Sequence, residues 1–303
     1  MFLYEKHRPT SFDQMVGSKE NLEALKKVFA KKSEDRPHVF LFCGDTGTGK
    51  TTAARICVSM LGVRNSIEVN VAVDRGIDLS RSIEEDIRTS PLLDKYWVYI
   101  LDEVHEMTRN LQEALLKLLE DVPDYVYFFL CTSEEKKILP KIKHRCDVYR
   151  FEVFQEKYIK QLVNRVCKKE NIELTEKVLT VLCTNSDGSA RKALTLLENV
   201  SNLDDEKSQL SVLKRDSEDP VVLDLCRKLL SSDKWEEISD ILKGLSEEIE
   251  KIRYCVLGYM AAVILKGRNN KAAFIIECFS TPFYNVGKPG LVLACYQSFF
   301  LNK

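Results

Sequence analysis

No two of the chain's ten cysteines lie within four residues of each other. A zinc knuckle needs thiols paired at C-x₂₋₄-C spacing, so none is encoded. Scattered cysteines inside apolar runs read as reduced, buried thiols of an intracellular protein, and a disulfide framework is out of place at 303 residues. Long apolar runs are missing too. The longest, Val256–Leu265, is about half of the ~20 residues a membrane span needs, and Lys251, Arg253 and Lys266 flank it. The opening MFLYEKHRPTSF lacks the apolar core of a signal peptide. Charge of one sign is also lacking: the formal net charge is −1. That excludes a globally basic nucleic-acid coat, while a local basic stripe balanced by an acidic face stays open. There is no internal repeat and no low-complexity tract. The expectation is a soluble intracellular chain, neither secreted nor membrane-bound.

What is present supports about two domains of ~150 residues, with 45% hydrophobic and 30% charged residues. Short apolar or β-branched runs predict strands at His38–Cys43, Ile67–Val71, Trp97–Leu101, Val126–Thr132 and Val148–Val153, each buried on both faces. Helical patterns over Lys50–Leu61, Leu79–Ile87 and Leu111–Leu119 separate them, which argues for a parallel α/β sheet. Beyond residue 153 the strand signal stops. Glu156–Glu170, Thr175–Thr184 and Ser189–Asn199 read as helices, Asn202–Asp219 as a polar linker, and Pro220–Lys303 as helical throughout. The expected plan is an α/β nucleotide-binding domain over 1–152, a small helical lid over 153–208 and an all-α domain over 209–303.

Gly44-Asp45-Thr46-Gly47-Thr48-Gly49-Lys50-Thr51 satisfies GxxxxGK[ST], between an expected strand and an expected helix. Glycines allow successive backbone N–H groups to wrap a phosphate chain, and the helix N-terminus adds its dipole. Lys50 would reach the β- and γ-phosphates and Thr51 would ligate Mg²⁺. Some fifty residues on, Trp97-Val-Tyr-Ile-Leu-Asp102-Glu103 ends an apolar strand in two carboxylates. The carboxyl edge of such a sheet is where α/β folds bind ligands. Asp102 would position Mg²⁺ and Glu103 would polarise the attacking water.

A P-loop, a DE box and a helical tail resemble the AAA+ ATPases, and several stretches resemble the clamp-loader ATPase subunits: the replication factor C small subunits, their phage counterparts and the bacterial gamma/tau subunit. The boxes are Glu5-Lys-His-Arg-Pro…Gly17, Val73-Asp-Arg75-Gly-Ile-Asp78…Arg81, Asp102-Glu-Val-His-Glu-Met-Thr108, Gln112…Glu120, Lys143-His-Arg145-Cys146 and Gly188-Ser-Ala-Arg191…Leu194. Their order holds from residue 4 to about 200. The resemblance implies a five-stranded parallel AAA+ sheet, a helical lid and a collar-like C-terminal domain. It implies ATP and Mg²⁺ held by residues 44–52, Thr52 included, with Arg8, Pro9 and Val16 at the base. It implies that Arg145 is a finger acting on a neighbouring subunit's γ-phosphate, worth ~10³–10⁵ in rate in well-studied NTPases. His144 stands where the family box has Ser. Arg191 opens a helix where a cation opposes the dipole, so a phosphate in the cleft would have to favour it; in the family it is the second sensor. Thr132 matches a family position that orients water, and a strand-ending hydroxyl is also a routine turn residue.

The same resemblance implies partners: other loader subunits in a pentameric ring-like assembly, a sliding clamp and primer–template DNA. Arg81 and Arg109, near helix starts, are candidates for DNA phosphate contacts, which set register without reading bases. Arg75 resembles the residue that restrains the catalytic Glu until DNA arrives. The stretch Leu61–Ile67 is too short for the zinc module of the bacterial subunit. Two other readings are open: a different DNA-associated AAA+ machine, of the Holliday-junction motor or replication-initiator type, and a non-hydrolysing structural subunit.

Overall fold

The computed structural model describes the whole chain except residues 74–77, 92–93, 204, 217–219, 233, 246–248, 284–285 and 301–303. The described residues form two compact units, Met1–Leu213 and Lys214–Lys303. Among them no helix is long and apolar enough to cross a membrane.

The first unit is built on β1 (Val39–Cys43), β2 (Ile67–Asn70), β3 (Trp97–Asp102), β4 (Val126–Thr132) and β5 (Asp147–Arg150), all parallel in the order β2-β3-β4-β1-β5. Successive side chains on a strand face opposite ways, and here both ways are covered. Phe40, Phe42, Val98, Ile100, Tyr127 and Phe129 pack under α2 (Lys19–Ala30) and α3 (Lys50–Met60). Val39, Leu41, Tyr99, Leu101, Phe128 and Leu130 pack under α4 (Asp78–Asp86), α5 (Arg109–Glu120) and α6 (Pro140–Lys143). Continuous apolar runs are what a doubly covered parallel strand requires.

Two strand expectations need correction. β2 alternates half-buried and exposed residues instead of being buried throughout, because it is an edge strand paired with β3. β5 stops at Arg150 instead of Val153. After Phe151 N–H donates to Cys43 O at 2.7 Å, the chain leaves the sheet, and Phe154 N–H donates to Gly188 O at 2.9 Å.

The chain then builds α7 (Glu156–Glu170), α8 (Glu176–Asn185) and α9 (Ala190–Ser201). Thr175 and Ser189 cap α8 and α9 with their hydroxyls, satisfying amides that a helix start leaves unpaired. These helices share a core with Leu3 of the N-terminal helix α1 (Leu3–Lys6). The segment 202–219, expected to be a linker, contains α10 (Glu206–Asp216). Leu213 is buried in the lid core with Leu210 and Val212 partly so, and Gln209 Nε2 donates to Leu203 O at 2.9 Å. Charge on the outer face concealed that stripe in the sequence.

The second unit contains α11 (Pro220–Ser231), α12 (Trp235–Gly244), α13 (Ile249–Lys266), α14 (Asn270–Cys278) and α15 (Gly287–Phe300), packed around a core that includes Leu225, Ile238, Val256, Ile275 and Leu291. All ten cysteines are free thiols, seven buried and three half-buried.

Candidate active site

β1 delivers the chain to the carboxyl edge of the sheet, and residues 44–49 curl back into α3. Gly47 and Gly49 adopt φ of 83° and 94°, a left-handed region that side chains disfavour. A Cβ on Gly47 would lie 2.0 Å from Ser189 Oγ, and one on Gly49 would lie 2.9 Å from Met15 Cε. The loop is braced by Thr48 Oγ1, which donates to Asp45 O at 2.8 Å. Lys50 is only 6% exposed, and its Nζ donates to Gly44 O at 2.7 Å and Asp45 O at 2.9 Å. Among the described residues no carboxylate pairs with it. A buried cation with carbonyl partners alone is costly, and an anion seated in the loop compensates it. The loop therefore fits a phosphate chain.

The sheet register places the carboxylates beside this loop. Asp102 ends β3 and Thr132 ends β4, opposite Cys43 of β1. Asp102 Oδ2 accepts a hydrogen bond from Thr51 Oγ1 at 2.8 Å, and its Oδ1 accepts one from Glu103 N–H at 3.0 Å. A hydroxyl and a carboxylate meeting beside a phosphate cradle are hard oxygen donors of the kind Mg²⁺ takes. Glu103 has φ 55°, an uncommon conformation for a residue with a side chain. Its carboxylate accepts from Ser133 Oγ at 3.5 Å and lies 3.4 Å from His105 Nδ1. Thr132 is fully buried, with Oγ1 accepting from Glu134 N–H at 3.0 Å.

The helical lid closes the other side. Ala190 N–H donates to Gly47 O at 3.1 Å, so the start of α9 is tied to the phosphate loop itself. Arg191 lines the cleft, its guanidinium carbon 5.8 Å from the centre of the Tyr4 ring. The N-terminal arm is pinned to the lid. Lys6 Nζ and His7 Nε2 meet the two carboxylate oxygens of Glu170 at 2.7 and 2.6 Å, and Arg165 Nη1 donates to Gln14 O at 2.7 Å. Lys6 first, then His7, holds the Glu170 carboxyl below its usual range. This anchoring brings Arg8, Pro9 and Val16 to the cleft wall, in an opening of about 1040 Å³ including its solvent-filled mouth.

Of the residues singled out in the sequence, the cleft gathers Thr46, Gly47, Gly49, Lys50, Thr51, Thr52, Asp102, Glu103 and Arg191 with Arg8, Pro9 and Val16. Gly44, Asp45 and Thr48 belong to the same loop without lining the cleft, and the fully buried Thr132 does not line it either. Arg145 is elsewhere: its Nη2 donates to Glu120 Oε1 at 2.6 Å and its Nη1 to Lys141 O at 3.0 Å. Arg109 pairs with Glu113 one turn along α5 at 3.1 Å. Arg81 is exposed on α4, and Arg75 lies outside the described residues. Tyr4, His7, Met15, Phe154, Arg165 and Leu194 also line the cleft. His7, Met15 and Leu194 lie inside boxes that carry the resemblance, whereas nothing local in the sequence marks Tyr4, Phe154 or Arg165 for this cleft.

The profile of the family described as DNA polymerase III, delta subunit, matches residues 70–155. The replication factor C small subunit of Methanococcus maripaludis is 33% identical over 216 residues, covering 69% of this chain and 68% of that one. The DNA polymerase III subunit gamma/tau of Mycoplasma pneumoniae is 34% identical over 230 residues, covering 68% of this chain and 33% of that one. The Bacillus subtilis DNA polymerase III subunit tau is 32% identical and covered over 38% of its length. The chain thus spans little more than a third of these polymerase subunits. Among solved structures, the Thermotoga maritima RuvB Holliday junction branch migration motor aligns with a TM-score of 0.61 at 19% identity, over 88% of this chain and 87% of that one. At that identity the likeness carries the fold alone.

Proposed function

Since the chain belongs to the clamp-loader AAA+ family that includes the replication factor C small subunits, we propose that it is an ATPase subunit of a DNA sliding-clamp loader. In this role ATP binding and hydrolysis would open a ring clamp and leave it on primer–template DNA inside the cell. One observation carries the reading of the site. Lys50 is a buried cation with no carboxylate partner among the described residues, in a cleft whose rim bears Asp102, Glu103 and the lid residue Arg191.

The positions of the residues support one proposed role for each. Lys50 and the amides of residues 44–52 bind the phosphate chain. Thr51 and Asp102 would hold Mg²⁺, which when bound neutralises phosphate charge. Glu103 orients and deprotonates the attacking water, with Thr132 beneath it. Arg191 brings the lid onto the phosphates, and Arg8, Pro9 and Val16 flank the base. Arg145 points away from its own cleft, which suits a finger serving the neighbouring subunit; Glu120 holds it until then. Such chemistry is positioning plus electrostatics, and the free energy of nucleotide binding drives a change of conformation.

The assembly belongs to the same proposal: other loader subunits in a pentameric ring, a clamp, and DNA phosphates met by Arg81 and Arg109, with Arg75 restraining Glu103. The proposed division of sheet domain and lid stays at 152, and because α10 packs Leu213 into the lid core the proposed lid–collar boundary moves from 208 to the end of that helix.

ATP hydrolysis measured with and without primed DNA and a ring clamp tests the reading. The expected result is stimulation by both together. A rate indifferent to both overturns it. Arg145→Ala should keep nucleotide binding and lower the stimulated rate, and mixing with wild-type subunits should restore part of it. Loss of ATP binding by the isolated variant would make Arg145 structural.

A further inference from the structure

We propose that His105 is a positioning residue that holds Glu103 on the phosphate side of β3. The inference rests on the reading of Glu103 as the group that activates water. The left-handed backbone of Glu103 lets the chain turn immediately: Glu106 N–H donates to Glu103 O at 2.9 Å and Met107 N–H to Val104 O at 3.2 Å. Val104 is 1% exposed and anchors this turn in the core. The anchor swings His105 back over the end of the neighbouring strand β4, where only 8% of its side chain is exposed.

There the imidazole stands at a junction. Nδ1 lies 3.4 Å from Glu103 Oε2 and 3.4 Å from Thr132 Oγ1. Nε2 lies 3.5 Å from Glu106 Oε1 and 3.6 Å from Glu134 Oε1. Lys137 holds Glu134 from the far side at 2.7 Å. The direction of the hold follows from strand order. β4 separates β3 from β1, the strand that carries the phosphate loop, and β2 lies on the opposite side of β3. A Glu103 carboxylate leaning on His105 and Ser133 leans toward the loop; leaning toward β2 would withdraw it. Through Nδ1, His105 also sets Glu103 in register with the buried Thr132.

The test uses the chain purified in the assembly it forms in its native cells, with ATP hydrolysis measured on primed DNA. Asparagine places its amide near the imidazole Nδ1 position, and glutamine near Nε2. His105→Ala should lower kcat on the order of 10–100-fold with KM for ATP unchanged. H105N should recover most of the rate, H105Q should not, and Ser133→Ala should show a smaller loss of the same kind. If H105A keeps the wild-type kcat, if the loss appears in KM, or if H105Q restores as well as H105N, the positioning role is overturned. E103Q separates the two levels. An inactive E103Q beside a fully active H105A overturns the positioning role alone, whereas an E103Q with wild-type rate overturns the reading of Glu103 beneath it.

Discussion

Among the described residues each unit buries one lysine or arginine deeply, and the two are treated in opposite ways. Lys50, at the rim of the sheet, is 6% exposed; Arg253, inside the C-terminal helices, is 4% exposed. Arg253 Nε donates to Glu250 Oε2 at 2.7 Å, and Nη1 donates to Phe279 O at 3.1 Å and Ser280 O at 3.4 Å. Glu250 also accepts the amide of Phe283, so the pair staples α13 to the segment after α14. Among the described residues Lys50 has carbonyl oxygens alone. Similar burial therefore marks different purposes. A cation whose charge is balanced within the protein holds the fold, and one left with dipoles awaits an anion. The partner, more than the burial, separates scaffold from site.

The sharpest way to break this contrast is Lys50→Ala. ATP affinity, read as the ligand-induced rise in Tm, should fall on the order of 10²–10³-fold. Tm without nucleotide should hold or rise, because an unbalanced buried charge has gone. A fall in Tm without ATP would make Lys50 a second staple and end the comparison. Arg253→Ala should do the reverse, lowering Tm by about 10 °C or more with ATP affinity unchanged; calorimetry with and without ATP reads both quantities. Replacing both partners, as in E250L/R253M, should recover much of that loss, since apolar side chains can fill the volume of a buried pair.

Gly47→Ala should have a smaller effect. A left-handed φ and a Cβ 2.0 Å from Ser189 Oγ should cost about 1–3 kcal/mol, measured by denaturant titration. G47A/S189G should recover the part due to the clash and leave the part due to φ. Smallest is the acid limb. Burial pushes the Glu250 carboxyl up, but Arg253 and the Phe283 amide outweigh it and hold the group below its ordinary 4.5. The stability this contributes is complete above about pH 4.5 and is lost as pH falls through the lower folded value. Tm followed from pH 7 down to 3 should drop more steeply in the wild type than in Glu250→Gln.

The contrast also marks how far the sequence could be read. Lys50 was legible because its loop is a contiguous pattern, and Asp102 because an apolar strand leads to it. β1, β3 and β4 were legible because they are buried on both sides; β2 and β5 misled because edge strands are only partly buried. α10 was hidden because Leu210 and Leu213 are a thin stripe among charges. The docking of the N-terminal arm depends on His7 meeting Glu170, a contact no local pattern encodes. The same holds for His105 and Thr132, which meet because β3 and β4 are neighbours in the sheet. Arg253 looked like a flank of the apolar run Val256–Leu265 and proved to be buried.

The bond from Ala190 to Gly47 has a mechanical consequence. α9 has 12 residues, so it is a stiff rod of about 18 Å. Its base is seated on the phosphate loop, and the chain enters it through Gly188 at φ 70°, where a side chain would crowd Phe154. A rod pivoting at that seat by about 10° carries its far turn through about 3 Å. The loop proposed to cradle phosphate would then also be the fulcrum of a lever, and a shift of Gly47 would become travel at Ser201.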